Sequence, residues 1–162
     1  MTERTYRPIE VFATATTIRG WRKEAIAGQP ETGGFAIISD EGDYLPGGEG
    51  TAPTPLTYFV AGAALCLLSQ VTQVSKMKKI AIHNEQVKTL VRFHEEGSVL
   101  AGTRQGFCDG WEIQLSLESD HSPEEIRELY RLAHRMCFAE AALREGARPA
   151  SVHFLNGQPL EV

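Results

Sequence analysis

Apolar and polar residues alternate in several parts of this chain, as is typical of half-buried strands. In Trp111–Leu117 every second residue is apolar and those between are polar or charged, which predicts a strand with one dry face. Gln86–His94 follows a similar pattern. Pro8–Ile38 is rich in β-favouring residues punctuated by glycines and predicts two or three short antiparallel strands. A short final strand is predicted over Ser151–Leu155.

A first helix is predicted from Pro55 to Lys78, after a glycine-rich loop over Asp40–Pro53. Thr54 is a suitable N-cap, and proline is favoured at the first helical position. The first half of this helix is apolar nearly all round, so we expect it to be buried on most sides. Its most apolar run, Leu56–Leu68, has 13 residues. A membrane span needs ~20, so the run predicts a core helix.

A second helix is predicted from Pro123 to about Arg144, ending at Gly146. Ser122, followed by Pro123 and by Glu125 three positions on, forms the pattern of a capping box. The apolar residues of this segment recur with helical spacing. Strands, a buried helix, strands, an amphipathic helix and a strand together predict the α+β class with an antiparallel sheet.

Composition narrows the class of protein. The 162 residues are enough for one domain over 1–162, and neither a repeat nor a linker divides them. The formal net charge is −5, which disfavours binding to nucleic acid or to an anionic membrane. Residues 1–9 are polar and charged, so we expect a cytoplasmic protein with reduced thiols. No motif predicts a cofactor, and no cysteine or histidine spacing predicts a metal site.

The cysteines are the candidate chemical groups. Cys66 and Cys137 each fall within a predicted helix, whereas Cys108 falls in a glycine-rich connection and receives no role. Two small core hydrophobes are one interpretation, and a redox pair is the other. A reactive thiolate needs a nearby positive charge. Cys66 lies too far from the start of its helix for the positive end of the helix dipole to provide that charge. Arg19 and Arg22 are the candidate cations, and spacing alone does not choose between them.

Two segments carry a family resemblance. GGEGTAPTPLTYFVAGAALCLLSQ (Gly47–Gln70) followed by HRMCFAEAAL (His134–Leu143) resembles the OsmC/Ohr family of osmotically induced and organic hydroperoxide resistance proteins. The shared features are a glycine-rich loop, a proline-led helix of small residues that reaches a cysteine, and a late helix with a second cysteine. The order of strands and helices also agrees. The resemblance spans roughly Thr14 to Phe154.

The resemblance implies an OsmC-like fold, with an antiparallel sheet wrapped around a long buried central helix in an intertwined homodimer. It implies that Cys66 is the peroxidatic residue, which becomes a sulfenic acid, and that Cys137 is the resolving residue, which forms a disulfide with it. The family's arginine follows an early strand like Ala13–Thr16, which favours Arg19 over Arg22. The implied partners are a small organic hydroperoxide and a dithiol reductant, lipoyl-type in one branch of the family.

This chain also departs from the family pattern. The peroxidase branches have a glutamate just after the proline that opens the cysteine helix, where this chain has Leu56. Glu49, in the preceding loop, is a candidate substitute. Phe138 follows the second cysteine, where the family commonly has proline, and the glycine usual beside the early arginine is displaced. These departures place the chain in a divergent subgroup.

These residues are compatible with three functions. The first is an OsmC-like thiol peroxidase that uses Cys66 and Cys137. The second is a catalytically weak or inactive protein of the same fold that binds a small apolar ligand at the dimer interface, and Leu56 favours it. A hot-dog-type thioesterase would need an acidic or polar residue on the buried helix, and Leu56–Leu68 offers none suitable.

His134 is one helical turn before Cys137, and a solvated or core-edge position is the favoured interpretation.

Overall fold

The computed structural model describes residues 8–145, 151–155 and 158–160. The predicted α+β class is confirmed, and each sheet is antiparallel. The elements in chain order are β1 (Phe12–Arg19), β2 (Arg22–Gln29), β3 (Gly33–Ser39), α1 (Pro55–Lys78), β4 (His83–Glu96), β5 (Gln105–Glu118), α2 (Pro123–Met136), α3 (Phe138–Glu145), β6 (His153–Leu155) and β7 (Gln158–Leu160). The chain divides into two compact units, residues 1–60 and residues 61–162.

The first unit contains a meander in which β2 pairs with both β1 and β3. Gly33 opens β3 with a φ of 78°, a left-handed conformation that glycine adopts without strain. Gly28 lies opposite this turn, where a Cβ would come within 1.9 Å of the Gly33 carbonyl oxygen, so only glycine fits. The sheet is largely open to solvent: the whole of β1 is exposed, and Phe35 in β3 is 71% exposed.

Helix α1 has the predicted bounds, Pro55–Lys78. Lys76 and Lys78 lie in its last turn, where cations interact favourably with the helix dipole. Lys79 then takes a left-handed φ of 57°, and the Ile80 N–H donates to the Ser75 carbonyl at 2.9 Å, which ends the helix.

The burial of α1 differs from the sequence expectation. Its buried residues lie in the second half and are Leu67, Gln70, Val71, Val74 and Ser75. In the first half Leu56, Phe59 and Leu65 are exposed by 53%, 48% and 64%, because nothing in the described part of this chain covers them. Length and composition alone would allow α1 to span a membrane, but core helices of soluble proteins meet the same criteria.

The second unit holds the hydrophobic core. Strands β4 and β5 form a long hairpin that contains the predicted alternating segments, with Val87, Ile113 and Leu115 packed against the core. The buried apolar residues come from α1, from α2 and from the residues just after each of these helices: Leu67, Val71, Val74, Ile80, Leu129, Ala133 and Cys137. The strand predicted over Ser151–Leu155 is present as the shorter β6, His153–Leu155, but it is not the final strand, because β7 follows and pairs with it.

The predicted capping box at the start of α2 is confirmed. Ser122 Oγ accepts a hydrogen bond from the Glu125 N–H at 3.3 Å, and the Glu125 carboxylate accepts one from the Ser122 N–H at 3.0 Å. Each residue therefore satisfies a backbone donor that the helix leaves unpaired.

The prediction of one continuous helix from Pro123 to Arg144 is wrong. Cys137 has an extended backbone (φ −70°, ψ 113°) and separates α2 from α3. Its N–H still reaches the His134 carbonyl at 3.4 Å, and its own carbonyl accepts the Ala141 N–H at 2.9 Å. The predicted stop at Gly146 lies outside the described residues.

Candidate functional site

Two of the predicted site residues lie together in the second unit. Cys137 is fully buried at the junction of α2 and α3, and Cys66 is a partly buried residue of α1 that packs against the same core. Both thiols are unbridged, and Cys66 lies close enough to raise the pKa of the Cys137 thiol. The structure therefore brings together two sulfur atoms that are 71 positions apart in the sequence (137 − 66).

The surroundings of Cys137 favour its protonated form. Burial raises the pKa of the Cys137 thiol to about 11, because a buried thiolate loses its hydration. Cys66 and the nearby charge of Glu140 act in the same direction. The backbone N–H of Glu140 donates to the sulfur and opposes the rise. At neutral pH Cys137 is therefore a thiol rather than a thiolate.

Beside this thiol, His134 is paired with Glu140. The His134 Nδ1 lies 2.8 Å from Glu140 Oε1, so the ring contacts a carboxylate. Its side chain is 38% exposed, which fits the predicted core-edge position, whereas the Glu140 side chain is only 16% exposed. Sequence reasoning did not select Glu140. Residues six positions apart are not neighbours on one helix, and only the interruption at Cys137 brings this pair together.

An open cavity of about 210 Å³ lies next to this cluster. Its lining is mostly apolar and consists of Trp111, Ile113, Glu140, Leu143 and Arg144. Since Glu140 lines the cavity and follows Cys137 by three positions, a small apolar molecule in the cavity would lie on the Cys137 side of the core.

Arg19 lies in the first unit, at the end of β1. Its Nη2 donates to both carboxylate oxygens of Glu49, at 3.2 and 3.0 Å. The Arg19 side chain is 70% exposed, so the guanidinium is open to solvent. The structure thus pairs Arg19 with the glutamate that the sequence offered in place of the one missing at Leu56.

Arg22, the other candidate cation, belongs to a network that fixes the glycine-rich loop. It donates to Thr51 Oγ1, and Thr51 in turn donates to Asp40 Oδ2 from its hydroxyl at 2.7 Å and from its N–H at 3.1 Å. The hydrogen bonds from Thr51 hold the pKa of Asp40 below its usual value. On the other side of Glu49, Trp21 Nε1 donates to the Pro46 carbonyl at 2.9 Å. The loop is therefore held on both sides of Glu49.

Replacing Asp40 by asparagine is expected to loosen this loop and to lower the melting temperature by several degrees near neutral pH. Because the pKa of Asp40 is lowered in the folded state, its contribution to stability is present above the unfolded pKa of about 4. That contribution is lost as the pH falls through the folded pKa. The melting temperatures of wild type and Asp40→Asn should therefore converge in acid, as scanning calorimetry from pH 7 downward can measure.

Asp43→Asn is the matched control, since Asp43 is an exposed carboxylate of the same loop. An unchanged melting temperature for Asp40→Asn near pH 7 would show that the Asp40 network does not stabilise the loop.

The third cysteine is separate from these groups. Cys108 is exposed on β5, where it pairs with Phe93 of β4. Within the described ranges, no group of three or more histidine, cysteine, aspartate or glutamate side chains is arranged to hold a metal ion.

A family model and several solved structures agree on the fold of this chain. A family model described as OsmC-like protein matches residues 48–150. An OsmC-like hydroperoxide resistance protein from Jannaschia sp. is 23% identical, with a TM-score of 0.59 over 94% of this chain and 97% of that one. An organic hydroperoxide resistance protein from Elizabethkingia anophelis is also 23% identical, with a TM-score of 0.57 over 87% and 91% of the two chains.

An organic hydroperoxide resistance protein OsmC from Legionella pneumophila is 21% identical, with a TM-score of 0.56 over 86% and 92% of the two chains. At this level of identity the likeness of all three structures concerns the fold. None of the curated proteins matches this sequence.

Proposed function

Because the chain belongs to the family of OsmC-like proteins, we propose that it is a thiol-dependent peroxidase that reduces organic hydroperoxides through Cys66 and Cys137. The observation that carries the proposal is the contact between these two reduced sulfur atoms within one core. Alanine or valine would fill these two positions as well as cysteine does. Only cysteines, however, can form a disulfide reversibly.

The proposed reaction has three balanced steps. The Cys66 thiolate attacks the terminal oxygen of the hydroperoxide, the O–O bond breaks, and the alkoxide takes up a proton and leaves as the alcohol. Cys66 is now a sulfenic acid. The Cys137 sulfur then displaces its hydroxyl, which leaves as water with the Cys137 proton, and a disulfide forms. A dithiol transfers two electrons and two protons to the disulfide and is itself oxidised.

The order of the two cysteines follows from burial. Cys66 is partly exposed and accessible to a substrate, whereas Cys137 is fully buried. The raised pKa of Cys137 also keeps it protonated, and the thiolate is the form that attacks a peroxide. Cys66 is therefore the residue proposed to react first.

Arg19 is proposed as the cation of this chemistry. Its exposure and its ion pair with Glu49 support this choice, since a paired arginine keeps a fixed orientation and a permanent charge. Arg22 is instead engaged with Thr51 in the loop network.

A second copy of the chain is the proposed partner, in an intertwined homodimer. The support is the exposed apolar surface of α1 and of the β1–β3 sheet, which includes Leu56, Phe59, Leu65 and Phe35. Clustered exposed apolar side chains on a soluble protein are typical of an interaction surface. We propose further that residues 1–162 form one OsmC-like domain, because the matched range 48–150 includes residues of both units, and that the protein is cytoplasmic.

The proposal is tested by adding one equivalent of cumene hydroperoxide to the reduced Cys108→Ser variant, which retains only the two cysteines of interest. We expect loss of the peroxide, loss of both free thiols, a mass lower by two hydrogen atoms, and a peptide in which Cys66 is linked to Cys137. Dihydrolipoamide should then sustain turnover. Unchanged peroxide and thiols would refute the peroxidase proposal.

That negative result would favour the second candidate, a protein that binds a small apolar ligand without turnover. The cavity beside Glu140 and the presence of Leu56 are the observations in its favour. Binding of cumyl alcohol would support it, measured by tryptophan fluorescence in a Trp21→Phe variant, where Trp111 at the cavity wall is the one remaining tryptophan.

A further inference from the structure

A glutamine lies in the middle of the buried stripe of α1. Gln70 is only 9% exposed, and its neighbours on the same face of the helix are the apolar Leu67, Val71 and Val74. A side-chain amide carries two N–H donors and a carbonyl acceptor, and burial of such a group without partners costs free energy. The presence of an amide in this stripe therefore has an explanation other than packing.

The amide of Gln70 is not used within the fold. It makes no hydrogen bond to any other residue in the described part of the chain. The polar side chains next to it on α1 behave differently, since Ser69 Oγ donates to the Leu65 carbonyl at 2.9 Å and Thr72 Oγ1 donates to the Leu68 carbonyl at 3.1 Å. The donors of Gln70 are therefore available to a bound molecule.

Helix geometry places this amide beside Cys66. Gln70 follows Cys66 by four positions, so the two side chains are neighbours on one face of α1. Long side chains on a helix lean towards its N-terminus, which carries the amide of Gln70 towards the turn that holds Cys66. Among the described residues, the one fully enclosed polar side-chain atom without a partner is Thr89 Oγ1, so the amide of Gln70 retains some accessible surface.

Resting on the proposed function, we propose that Gln70 is a further catalytic residue, whose amide N–H donates a hydrogen bond to the oxygen that leaves when Cys66 attacks the hydroperoxide. In that step the Cys66 sulfur bonds to the terminal oxygen, the O–O bond breaks, and its electron pair stays on the alkoxide oxygen. Cys66 is thereby oxidised to the sulfenic acid. The alkoxide takes up a proton from solvent and leaves as the alcohol.

The free state of the Gln70 amide gives this donor its effect. An N–H that is already fixed beside the sulfur stabilises the leaving oxygen as its negative charge develops. Because the amide has no partner in the described fold, no internal hydrogen bond has to break first. The cost of burying an unpaired amide in the reduced protein is offset when the charged oxygen forms.

The test compares two electrophiles that react with the same thiol. In a Cys108→Ser, Cys137→Ser background Cys66 is the sole cysteine, and its rate constants with cumene hydroperoxide and with iodoacetamide are measured at one pH. Gln70→Met replaces the amide by an apolar side chain of similar length. We expect the reaction with the hydroperoxide to slow by about tenfold. Alkylation should be almost unchanged, because iodide leaves in that reaction and no charge develops on an oxygen.

Matched variants separate catalysis from structure. Gln73→Met makes the same replacement at an exposed position of α1 and should change neither rate. Gln70→Met should leave the melting temperature unchanged or raise it, since it removes a buried amide that has no partner in the described fold. Gln70→Leu removes the same donors and decides the question if the methionine variant does not fold.

Equal rates with the hydroperoxide in the presence and absence of the Gln70 amide, or equal slowing of both reactions, would overturn the inference. The proposed function is judged separately, by whether Cys66 reacts with the hydroperoxide much faster than free cysteine does. Every thiol reacts slowly with a hydroperoxide, so the ratio of rates between the two proteins is measurable even if the chain is not a peroxidase. Failure of this inference and failure of the proposed function are therefore distinguishable.

Discussion

Replacing Cys66 by serine is expected to reduce peroxide-dependent oxidation of dihydrolipoamide by about a thousandfold or more. A serine hydroxyl stays protonated at neutral pH without an adjacent base, so it cannot attack the peroxide oxygen as a thiolate does. Because the replacement is nearly isosteric and Cys66 is only partly buried, the fold should be retained. The measurement is the initial rate of peroxide loss at a fixed concentration of the dithiol.

Two further cysteine variants complete this experiment. Cys108→Ser should retain the activity, since Cys108 is exposed on β5 and lies outside the Cys66–Cys137 cluster. Cys137→Ser should consume one equivalent of peroxide and stop at the sulfenic acid, which a dimedone adduct would trap on Cys66. Activity that survives in Cys66→Ser would assign the reaction to another residue and remove the basis for the proposed roles.

Replacing Leu129 by alanine is expected to lower the free energy of unfolding by about 3 kcal/mol. Leu129 is fully buried in α2 and belongs to the core of the second unit. Its loss removes apolar surface from the core and leaves a cavity that the neighbouring side chains of α1 and β5 fill only in part. Urea unfolding at a fixed protein concentration measures the change.

Leu100→Ala is the control for this prediction. Leu100 is fully exposed between β4 and β5, so its truncation should change the free energy of unfolding by less than about 0.5 kcal/mol. Equal effects of the two substitutions would mean that the core does not centre on Leu129.

Local sequence signals predicted the elements well. The bounds of α1 could be predicted because Thr54 and Pro55 mark its start and a run of lysines marks its end. The start of α2 could be predicted because a capping box is complete within four consecutive residues, Ser122 to Glu125. Strand β5 could be predicted from strict alternation over Trp111–Leu117. In each case the responsible interactions lie within a few positions of one another.

The features that escaped prediction depend on contacts distant in sequence. No glycine or proline marks the interruption at Cys137, where the side chain is fully buried in the core, so periodicity predicted one helix. The pairing of His134 with Glu140 follows from that interruption and could not be found without it. The ion pair of Arg19 and Glu49 joins residues 30 positions apart. The first half of α1 is exposed because no other described part of the chain packs against it. The periodicity of apolar residues shows that a helix has an apolar face but not what covers that face.

The pairing of strands has a consequence for how this chain folds. Every described strand pairs only with its neighbours in chain order, β1 with β2, β2 with β3, β4 with β5 and β6 with β7. The contacts within the sheets are therefore local, and low contact order is associated with fast folding. Hairpins of this kind form within microseconds, so in the proposed homodimer the slow event in refolding is expected to be the association of two copies, and the rate followed by stopped-flow fluorescence should rise with protein concentration.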